Sequence, residues 1–166
     1  MKTIFNNHLF LMIRNFFAGI LILLSFGSCV KNKCGYDACA KKAPAGEIQA
    51  VRDYLSSKGI TNAIEHCSGL FYVVDDPGTG KAPNGCSQVS VHYKGSLTNG
   101  KVFDERDYFL SLDGVISGWR AGIPLIKSGG RIRLYVPPSL GYGSQAMGPI
   151  PANSILIFEV KLFSVQ

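Results

Sequence analysis

The residue types that carry out nucleophilic or acid–base catalysis are few in this sequence and are not grouped. Two histidines lie beyond the N-terminal stretch: His66 adjoins Cys67, and His92 lies on the polar face of a predicted strand. A serine, cysteine or threonine nucleophile needs a base within hydrogen-bonding reach. No motif of that kind surrounds either histidine, so the sequence does not favour covalent catalysis.

Carboxylates and glycines also lack the arrangements that hydrolytic or phosphate chemistry uses. Asp104, Glu105 and Asp107 cluster on a predicted turn, with no partner acid elsewhere. Gly129 and Gly130 follow a predicted helix, whereas a phosphate-binding loop precedes its helix. These features argue against glycoside hydrolysis, metal chemistry and phosphate-loop binding. The sequence predicts neither a metal nor an organic cofactor.

Four cysteines lie beyond the N-terminal stretch: Cys34, Cys39, Cys67 and Cys86. An even number of cysteines in an oxidising compartment favours disulfides, and four cysteines allow three pairings. The sequence does not choose among these pairings. A zinc site is the alternative, although the spacing matches no standard zinc pattern. We expect the four cysteines to form structural disulfides.

Aromatic side chains are the residues best placed to form a binding site. Taken singly, each is a good candidate for the core. Together with the Gly141-Tyr142-Gly143 loop, they predict an apolar pocket that contains a few polar groups. Six of them lie near the ends of predicted strands or on a predicted helix: Tyr93, Phe103, Tyr108, Trp119, Tyr142 and Phe158.

The elements that would hold these aromatics are those of a small α+β domain. Apolar residues at helical spacing predict a helix from residue 47 that ends before Gly59. A second, short helix is expected over 116–126, distorted by Pro124. Period-two alternation and an Asn99-Gly100 hairpin predict an antiparallel sheet of about five strands. The predicted strands cover 70–74, 86–94, 102–112 (with a break after Phe103), 131–136 and 154–165.

Length and composition agree with one β-rich domain. The chain has 166 residues, 46% of them hydrophobic and 17% charged, with 19 glycines and 8 prolines. Such a chain can form a core and contains many turns. Its net charge is +6, but no basic run exceeds two residues. Nucleic-acid grooves need clustered cations, so we expect no nucleic-acid partner.

The first 28 residues have the pattern of an export signal. Lys2 and Arg14 precede an apolar run at 16–26, which is too short to span a bilayer because a spanning helix needs about twenty residues. Gly27-Ser28-Cys29 then resembles the lipobox of bacterial lipoproteins, with Phe26 in the place usually taken by leucine. An ordinary signal peptide or an uncleaved anchor is the alternative.

This pattern carries several expectations about processing and location. Residues 1–28 are expected to be cleaved, and Cys29 to receive the lipid. Translation starts at Met1 or Met12, a choice left open. The residue after Cys29 is Val30, not the aspartate that often signals retention in the inner membrane. We therefore expect a lipid-anchored protein on the outer membrane, facing the periplasm. The remaining chain divides into a tether (29–46), a helical extension (47–68) and a domain (69–166).

Five short motifs follow one another through that domain: Val91-His92-Tyr93-Lys94-Gly95, Gly100-Lys101-Val102-Phe103-Asp104, Gly114-Val115-Ile116-Ser117-Gly118-Trp119, Pro138-Ser139-Leu140-Gly141-Tyr142-Gly143 and Ile150-Pro151-Ala152-Asn153-Ser154-Ile155-Leu156-Ile157-Phe158. In this order they resemble the signatures of the FKBP family, macrolide-binding immunophilins that are peptidyl-prolyl cis-trans isomerases. With the lipobox-like leader, the whole chain resembles the lipoprotein form of this family from the cell envelope of a Gram-negative bacterium. The resemblance covers roughly residues 69–166. It implies a half-barrel of antiparallel strands around the short helix, with a proline pocket between them.

The resemblance also implies roles for individual residues. Trp119 would form the floor beneath the proline ring, and Tyr93, Asp104 and Tyr142 would be the catalytic residues. Ile116 would offer its backbone N–H to the substrate. Compared with the family, the segment between Asp104 and Leu112 is several residues shorter, so Tyr108 is the nearest substitute for a missing pocket aromatic. The remaining substrate-binding residues would be Phe103, Val115, Ile150 and Phe158, with Met147 near the pocket mouth.

The function implied is rotation of X-Pro bonds in unfolded or exported polypeptides, assisting their folding. Macrolide immunosuppressant-type molecules are a further implied class of ligand. The alternative is a non-catalytic, membrane-anchored module that binds proline-containing peptides. The intact set of Tyr93, Asp104, Trp119 and Tyr142 favours the enzyme, because a pure scaffold has no need of a polar edge beside its pocket.

Overall fold

A computed structural model describes residues 34–166. The predicted leader, the lipidation site at Cys29 and the two candidate start codons lie outside the described residues. The helices are α1 (Ala45–Ser57) and α2 (Ser117–Gly122). The strands are β1 (Ile64–Glu65), β2 (Phe71–Asp76), β3 (Gln88–Leu97), β4 (Val102–Ser111), β5 (Arg131–Val136) and β6 (Leu156–Val165).

The strands form a six-stranded sheet in the order β1-β2-β5-β6-β3-β4, and every neighbouring pair is antiparallel. The predicted α+β class is therefore confirmed. The sixth strand, β1, was not predicted. It has only two residues, both exposed, so the sequence shows no alternation of apolar and polar residues there. The predicted break after Phe103 is wrong, because β4 pairs with β3 as one strand with a single irregularity between Gly95 and Ser96.

Alternation along β3 places one set of side chains against the core. Val89, Val91, Tyr93 and Leu97 are buried, whereas the residues between them are partly exposed. Gly95 continues the buried set, and a Cβ atom at this position would collide with the rings of Phe103 and Phe158. Glycine is needed here because these two aromatic rings approach the β3 backbone closely.

The short helix α2 packs equally closely on β5. A Cβ atom at Gly122 would lie 2.6 Å from a methyl group of Leu134, and one at Gly118 would meet Val136. The helix ends before Pro124 and continues as a 3-10 turn over Ile123–Leu125, as the proline predicts. This close packing buries Trp119, which lies between the two glycines in the sequence.

Helix α1 buries one apolar face, and its Tyr54 ring lies 6.4 Å from the Tyr135 ring of β5. Ile48, Val51 and Leu55 are buried, at the helical spacing expected from the sequence. The Glu47 carboxylate accepts a hydrogen bond from the Ser139 N–H at 2.8 Å, which joins α1 to the turn preceding Tyr142. Among residues 34–166, no helix is both long and apolar enough to cross a bilayer.

Two disulfides attach residues 34–44, here called the N-terminal segment, to the rest of the fold. The pairing that the sequence left open is Cys34–Cys86 and Cys39–Cys67. Sulfur atoms bonded to each other are not available as the thiolate ligands that a zinc site uses. Between the bridges, the Tyr36 ring lies against Arg120 of α2, with the guanidinium carbon 4.1 Å from the ring centroid.

Candidate active site

One cavity of about 710 Å³ opens between β3, β4, the start of α2 and the loop before β6. All ten residues named above as catalytic or substrate-binding line this cavity: Tyr93, Phe103, Asp104, Tyr108, Val115, Ile116, Trp119, Tyr142, Ile150 and Phe158. Their individual roles stay predictions. Seven further residues complete the lining: Arg106, Leu110, Ser111, Gly114, Met147, Gly148 and Pro149.

The apolar part of the cavity is a box of aromatic rings. The Trp119 ring contacts Tyr93 and Phe158 edge to face, at centroid distances of 4.8 Å and 5.2 Å. Phe103 meets Phe158 in the same geometry at 5.7 Å. Edge-to-face pairs add stability beyond the area that they bury. The side chains therefore fix one another's orientation, and they present a rigid apolar surface to a ligand.

The polar edge of the cavity consists of Tyr93, Asp104 and Arg106. The β3–β4 register places Tyr93 opposite Arg106 and Gly95 opposite Asp104. The Tyr93 hydroxyl donates a hydrogen bond to the Asp104 carboxylate. Arg106 donates from Nε to the same hydroxyl at 3.1 Å, and its Nη2 lies 3.4 Å from Asp104 Oδ2. A charged pair is thus fixed beside the aromatic part of the cavity.

Arg106 is the functional candidate that the sequence analysis missed. Asp104, Arg106, Tyr108 and Leu110 share one face of β4 and all line the cavity. The period-two spacing was present in the sequence, but the acidic cluster around Arg106 indicated a turn. The Arg106 guanidinium carbon also lies 4.7 Å from the centroid of the Tyr108 ring, so it joins Tyr108 to the polar edge.

The loop before β6 forms the remaining wall. The Gly143 N–H donates to the Pro138 carbonyl at 2.8 Å, which fixes the backbone around Tyr142. Met147 and Ile150 exchange two backbone hydrogen bonds, of 2.9 Å and 3.0 Å. Ile150 is buried, whereas Met147 is half exposed at the rim. This agrees with the expected place of Met147 near the pocket mouth.

The environment of Tyr93 keeps its hydroxyl protonated. Burial raises the pKa of the Tyr93 phenol above its ordinary value of 10.0, and the hydrogen bond to Asp104 raises it further, while Arg106 acts in the opposite direction. Both burial and the carboxylate disfavour a phenolate at this position. The phenol therefore remains a hydrogen-bond donor throughout the neutral range.

Stability is expected to fall as the pH rises above about 10. Burial is the main cause of raised pKa values for Tyr93, Tyr135, Tyr54 and Tyr36. In this range the folded chain holds phenol protons that the unfolded chain has released, so rising pH favours unfolding. Urea midpoints measured from pH 8 to 11 test this expectation. Tyr93→Phe should show a shallower decline than the unaltered chain, and an equal decline in both would contradict the role of Tyr93.

Comparison with known proteins agrees with this geometry. Residues 79–163, which are 85 of the 166, match the family described as FKBP-type peptidyl-prolyl cis-trans isomerase. The protein FkpA of Escherichia coli K12, so described, is 40% identical over 144 residues, covering 84% of this chain and 52% of the relative. FkpA of the Buchnera symbiont of Schizaphis graminum is 42% identical over 124 residues, covering 70% and 47%. This chain therefore spans about half the length of these relatives.

Solved structures give the same result. The crystal structure of E. coli FkpA superposes with a TM-score of 0.66 at 38% identity, covering 74% of this chain and 60% of that one. A peptidyl-prolyl cis-trans isomerase from Pseudomonas syringae superposes with a TM-score of 0.65 at 31% identity, covering 76% of this chain and 98% of that one. With the matched motifs and the aromatic cavity, these likenesses show that the chain belongs to the FKBP-type peptidyl-prolyl cis-trans isomerase family.

Proposed function

We propose that this chain catalyses cis–trans rotation of X-Pro peptide bonds in exported polypeptides and thereby assists their folding. The observation that carries the proposal is the aromatic cavity, in which Trp119 lies edge to face with Tyr93 and Phe158 and the polar edge lies beside these rings. Such a site accepts an apolar ring and also places hydrogen-bonding groups beside the flanking amides. A proline residue within a peptide has this combination of an apolar ring and polar amides.

The chemistry needed is stabilisation of a twisted amide. Rotation about an X-Pro bond crosses a barrier of about 18–20 kcal/mol that arises from amide resonance. The planar amide is more dipolar than the twisted one, so a dry aromatic cavity disfavours the ground state relative to the transition state. A barrier lowered by about 7–8 kcal/mol accelerates rotation by five to six decades. The step requires no covalent intermediate and no proton transfer.

In this proposal the side chains act by position. The prolyl ring stacks on Trp119, and Phe103 and Phe158 enclose it. The backbone N–H of Ile116 and the hydroxyl of Tyr142 donate to carbonyl groups on either side of the bond. The polar edge orients the chain at the mouth. Its charges are fixed in advance by the Tyr93–Asp104 and Arg106–Tyr93 hydrogen bonds, so little reorganisation is needed when the substrate twists.

A protease-coupled isomerisation assay on a proline-containing peptide tests the activity. Tyr142→Phe should lower kcat/KM by about two- to twelvefold, because a lost hydrogen bond costs about 0.5–1.5 kcal/mol. Tyr72→Phe is the matched control, since Tyr72 lies on β2 and does not line the cavity; it should leave the rate unchanged. If the folded, unaltered chain gave only the background rate, a proline-peptide binding module would replace the enzyme.

The cavity also has the size of a drug-binding site, since pockets for drug-sized ligands hold about 300–1,000 Å³. Macrolide immunosuppressant-type molecules are therefore proposed as a second ligand class. The open rim formed by Met147 and Tyr108, which are 51% and 45% exposed, sets how much of such a ligand stays in water. Competition between a macrolide and the proline-containing peptide in the same assay tests this.

We place the activity at the envelope of a Gram-negative bacterium, with Cys29 lipidated, the chain on the outer membrane and the domain in the periplasm. The lipobox-like Gly27-Ser28-Cys29 supports the anchor, and the two disulfides support an oxidising compartment. Cys29→Ala should abolish the incorporation of labelled palmitate into the protein. Cys34→Ala serves as the control cysteine change and should leave that incorporation intact. Equal labelling of Cys29→Ala and the unaltered chain would refute lipidation at Cys29.

A further inference from the structure

The two disulfides differ in their access to solvent. Cys39 and Cys67 are both exposed, whereas Cys34 and Cys86 are both half-buried. The exposed bridge joins the N-terminal segment to the loop between β1 and β2. The rate of thiol–disulfide exchange depends on access to the sulfur atoms. A dissolved thiol therefore meets Cys39–Cys67 more readily than Cys34–Cys86.

His66 lies beside the exposed bridge and is held in one orientation. Both of its ring nitrogens are 3.6 Å from Cys67 Sγ. Its Nδ1 accepts a hydrogen bond from the Ser68 N–H at 3.2 Å, so the neutral ring carries its proton on Nε2. Burial lowers the pKa of His66 and thereby favours the neutral ring. A thiolate formed on Cys67 would have an N–H donor next to it.

The surroundings of Cys39 differ from those of Cys67. The Asp37 carboxylate accepts a hydrogen bond from the Cys39 N–H at 2.8 Å, so a negative charge is held close to this residue. A nearby carboxylate disfavours a thiolate, whereas a nearby N–H donor favours one. When the bridge opens, the electron pair is therefore better accommodated on Cys67 than on Cys39.

We propose that Cys39–Cys67 is a thiol-exchange site at which a small-molecule thiol modifies Cys39. The incoming thiolate bonds to Cys39 Sγ as the Sγ–Sγ bond breaks, and the bonding electron pair passes to Cys67 as a thiolate held by His66. The product is one mixed disulfide on Cys39 and one thiolate on Cys67. A second thiolate can attack the mixed disulfide, releasing the oxidised small disulfide and leaving both cysteines reduced.

The Cys34–Cys86 bridge also has a group that would stabilise a thiolate. The difference in exchange rate between the two bridges therefore does not come from the stability of the leaving thiolate alone. Arg120 Nη2 lies 3.5 Å from Cys86 Sγ, and its Nε donates to the Gly85 carbonyl at 2.7 Å. A guanidinium there would also stabilise a thiolate. The half-buried position beneath Tyr36 and Arg120 is what slows exchange at Cys34–Cys86. After exchange at Cys39, this bridge still holds the N-terminal segment.

The exchange site is separate from the cavity. None of Cys39, His66 and Cys67 lines it, and the backbone next to the bridge keeps a bond of 2.8 Å from the Ala43 N–H to the Ser68 carbonyl. The isomerisation rate should therefore stay within about twofold when Cys39 is modified, since no transition-state contact is lost. This separates failure of the exchange proposal from failure of the proposed enzyme.

Reduced glutathione is the probe that tests the proposal. The full chain, with both disulfides formed, is incubated with glutathione, quenched with acid and mapped by mass spectrometry over time. The expected result is a glutathione adduct on Cys39 with free Cys67, formed at least about tenfold faster than any opening of Cys34–Cys86. Equal or faster opening of Cys34–Cys86, an adduct predominantly on Cys67, or no adduct at either bridge would overturn the proposal.

Two matched histidine variants test the part played by His66. His66→Gln should slow adduct formation by about threefold or more, because Cys67 becomes a poorer leaving group. His92 lies on β3, where it is hydrogen-bonded to Asp107 and not to either disulfide. The control variant His92→Gln should therefore form the adduct at the rate of the unaltered chain. Both variants should keep their far-ultraviolet circular dichroism and isomerisation rate, which shows that they are folded. An unchanged exchange rate in folded His66→Gln would refute its role.

Discussion

Trp119→Ala should lower kcat/KM for X-Pro isomerisation by about a hundredfold. The indole is 5% exposed and lies edge to face with Tyr93 and Phe158, so no neighbouring side chain can take its place without repacking. Without the indole, the prolyl ring of the substrate loses about 2–3 kcal/mol of stabilisation from apolar contact. This loss corresponds to about two decades in rate. Rates measured in the protease-coupled assay with a proline-containing peptide check this expectation.

The same substitution is expected to destabilise the fold, and the controls take this into account. Removing a buried tryptophan side chain costs about 3–5 kcal/mol, so the assay is run well below the unfolding midpoint and accompanied by circular dichroism. Trp119→Phe keeps an aromatic ring at this position and removes an indole N–H that has no hydrogen-bond partner among residues 34–166. It should retain rates within about tenfold of the unaltered chain, because most of the apolar contact remains.

Phe163→Ala provides a second comparison. Phe163 is 42% exposed on β6 and does not line the cavity, so its loss should not change kcat/KM. A folded Trp119→Ala chain that isomerised as fast as Phe163→Ala would show that the cavity is not the catalytic site. If Trp119→Ala kept peptide binding but lost turnover, the indole would act mainly in the transition state.

The sequence could predict the elements whose side chains alternate between core and solvent. β3, β5 and β6 each have one apolar face. The alternation of apolar and polar residues along each of them was enough to predict the strand from the sequence. β4 differs because its inner face borders the cavity, so polar Asp104 and Arg106 occupy positions that a core strand would fill with apolar residues. These polar residues at inward-facing positions explain both errors: the break predicted within β4, and the failure to predict Arg106 as a site residue.

The aromatic residues and the Gly141-Tyr142-Gly143 loop predict an apolar pocket, but only the motifs assign places within it to individual residues. Composition gave aromatic residues, and the family resemblance gave their grouping, whereas the polar edge depends on the β3–β4 register that places Tyr93 opposite Arg106. Two further features could not be predicted, because each is a contact between residues that are far apart in the sequence. The cysteine pairing is one, with separations of 52 and 28 residues. The packing of Tyr36 on Arg120 is the other.

Loss of the Cys34–Cys86 bridge should lower the free energy of unfolding by about 3.5 kcal/mol. Cys39–Cys67 stays intact and already bridges 28 of the 52 residues between Cys34 and Cys86, so the loop whose closure entropy the disulfide removes is about 24 residues long. A Cys34→Ala, Cys86→Ala double variant should therefore unfold at a midpoint roughly 10–20 °C lower. Thermal and urea unfolding of this variant, beside a Cys39→Ala, Cys67→Ala double variant, make the measurement.

The comparison between the two double variants separates chain entropy from native contacts. With the other bridge intact, the two bridges close loops of about 24 and 28 residues, which differ in closure entropy by only about 0.1 kcal/mol, so entropy alone predicts nearly equal losses. The Cys34–Cys86 bridge also holds Tyr36 against Arg120, which in turn donates to the Gly85 carbonyl. If these contacts depend on the bridge, its loss exceeds the other by about 1–2 kcal/mol, the range of a charged hydrogen bond with its stacking partner. Equal losses would show that the N-terminal segment keeps its place on α2 without the covalent bond, and that Arg120 is positioned by the helix alone.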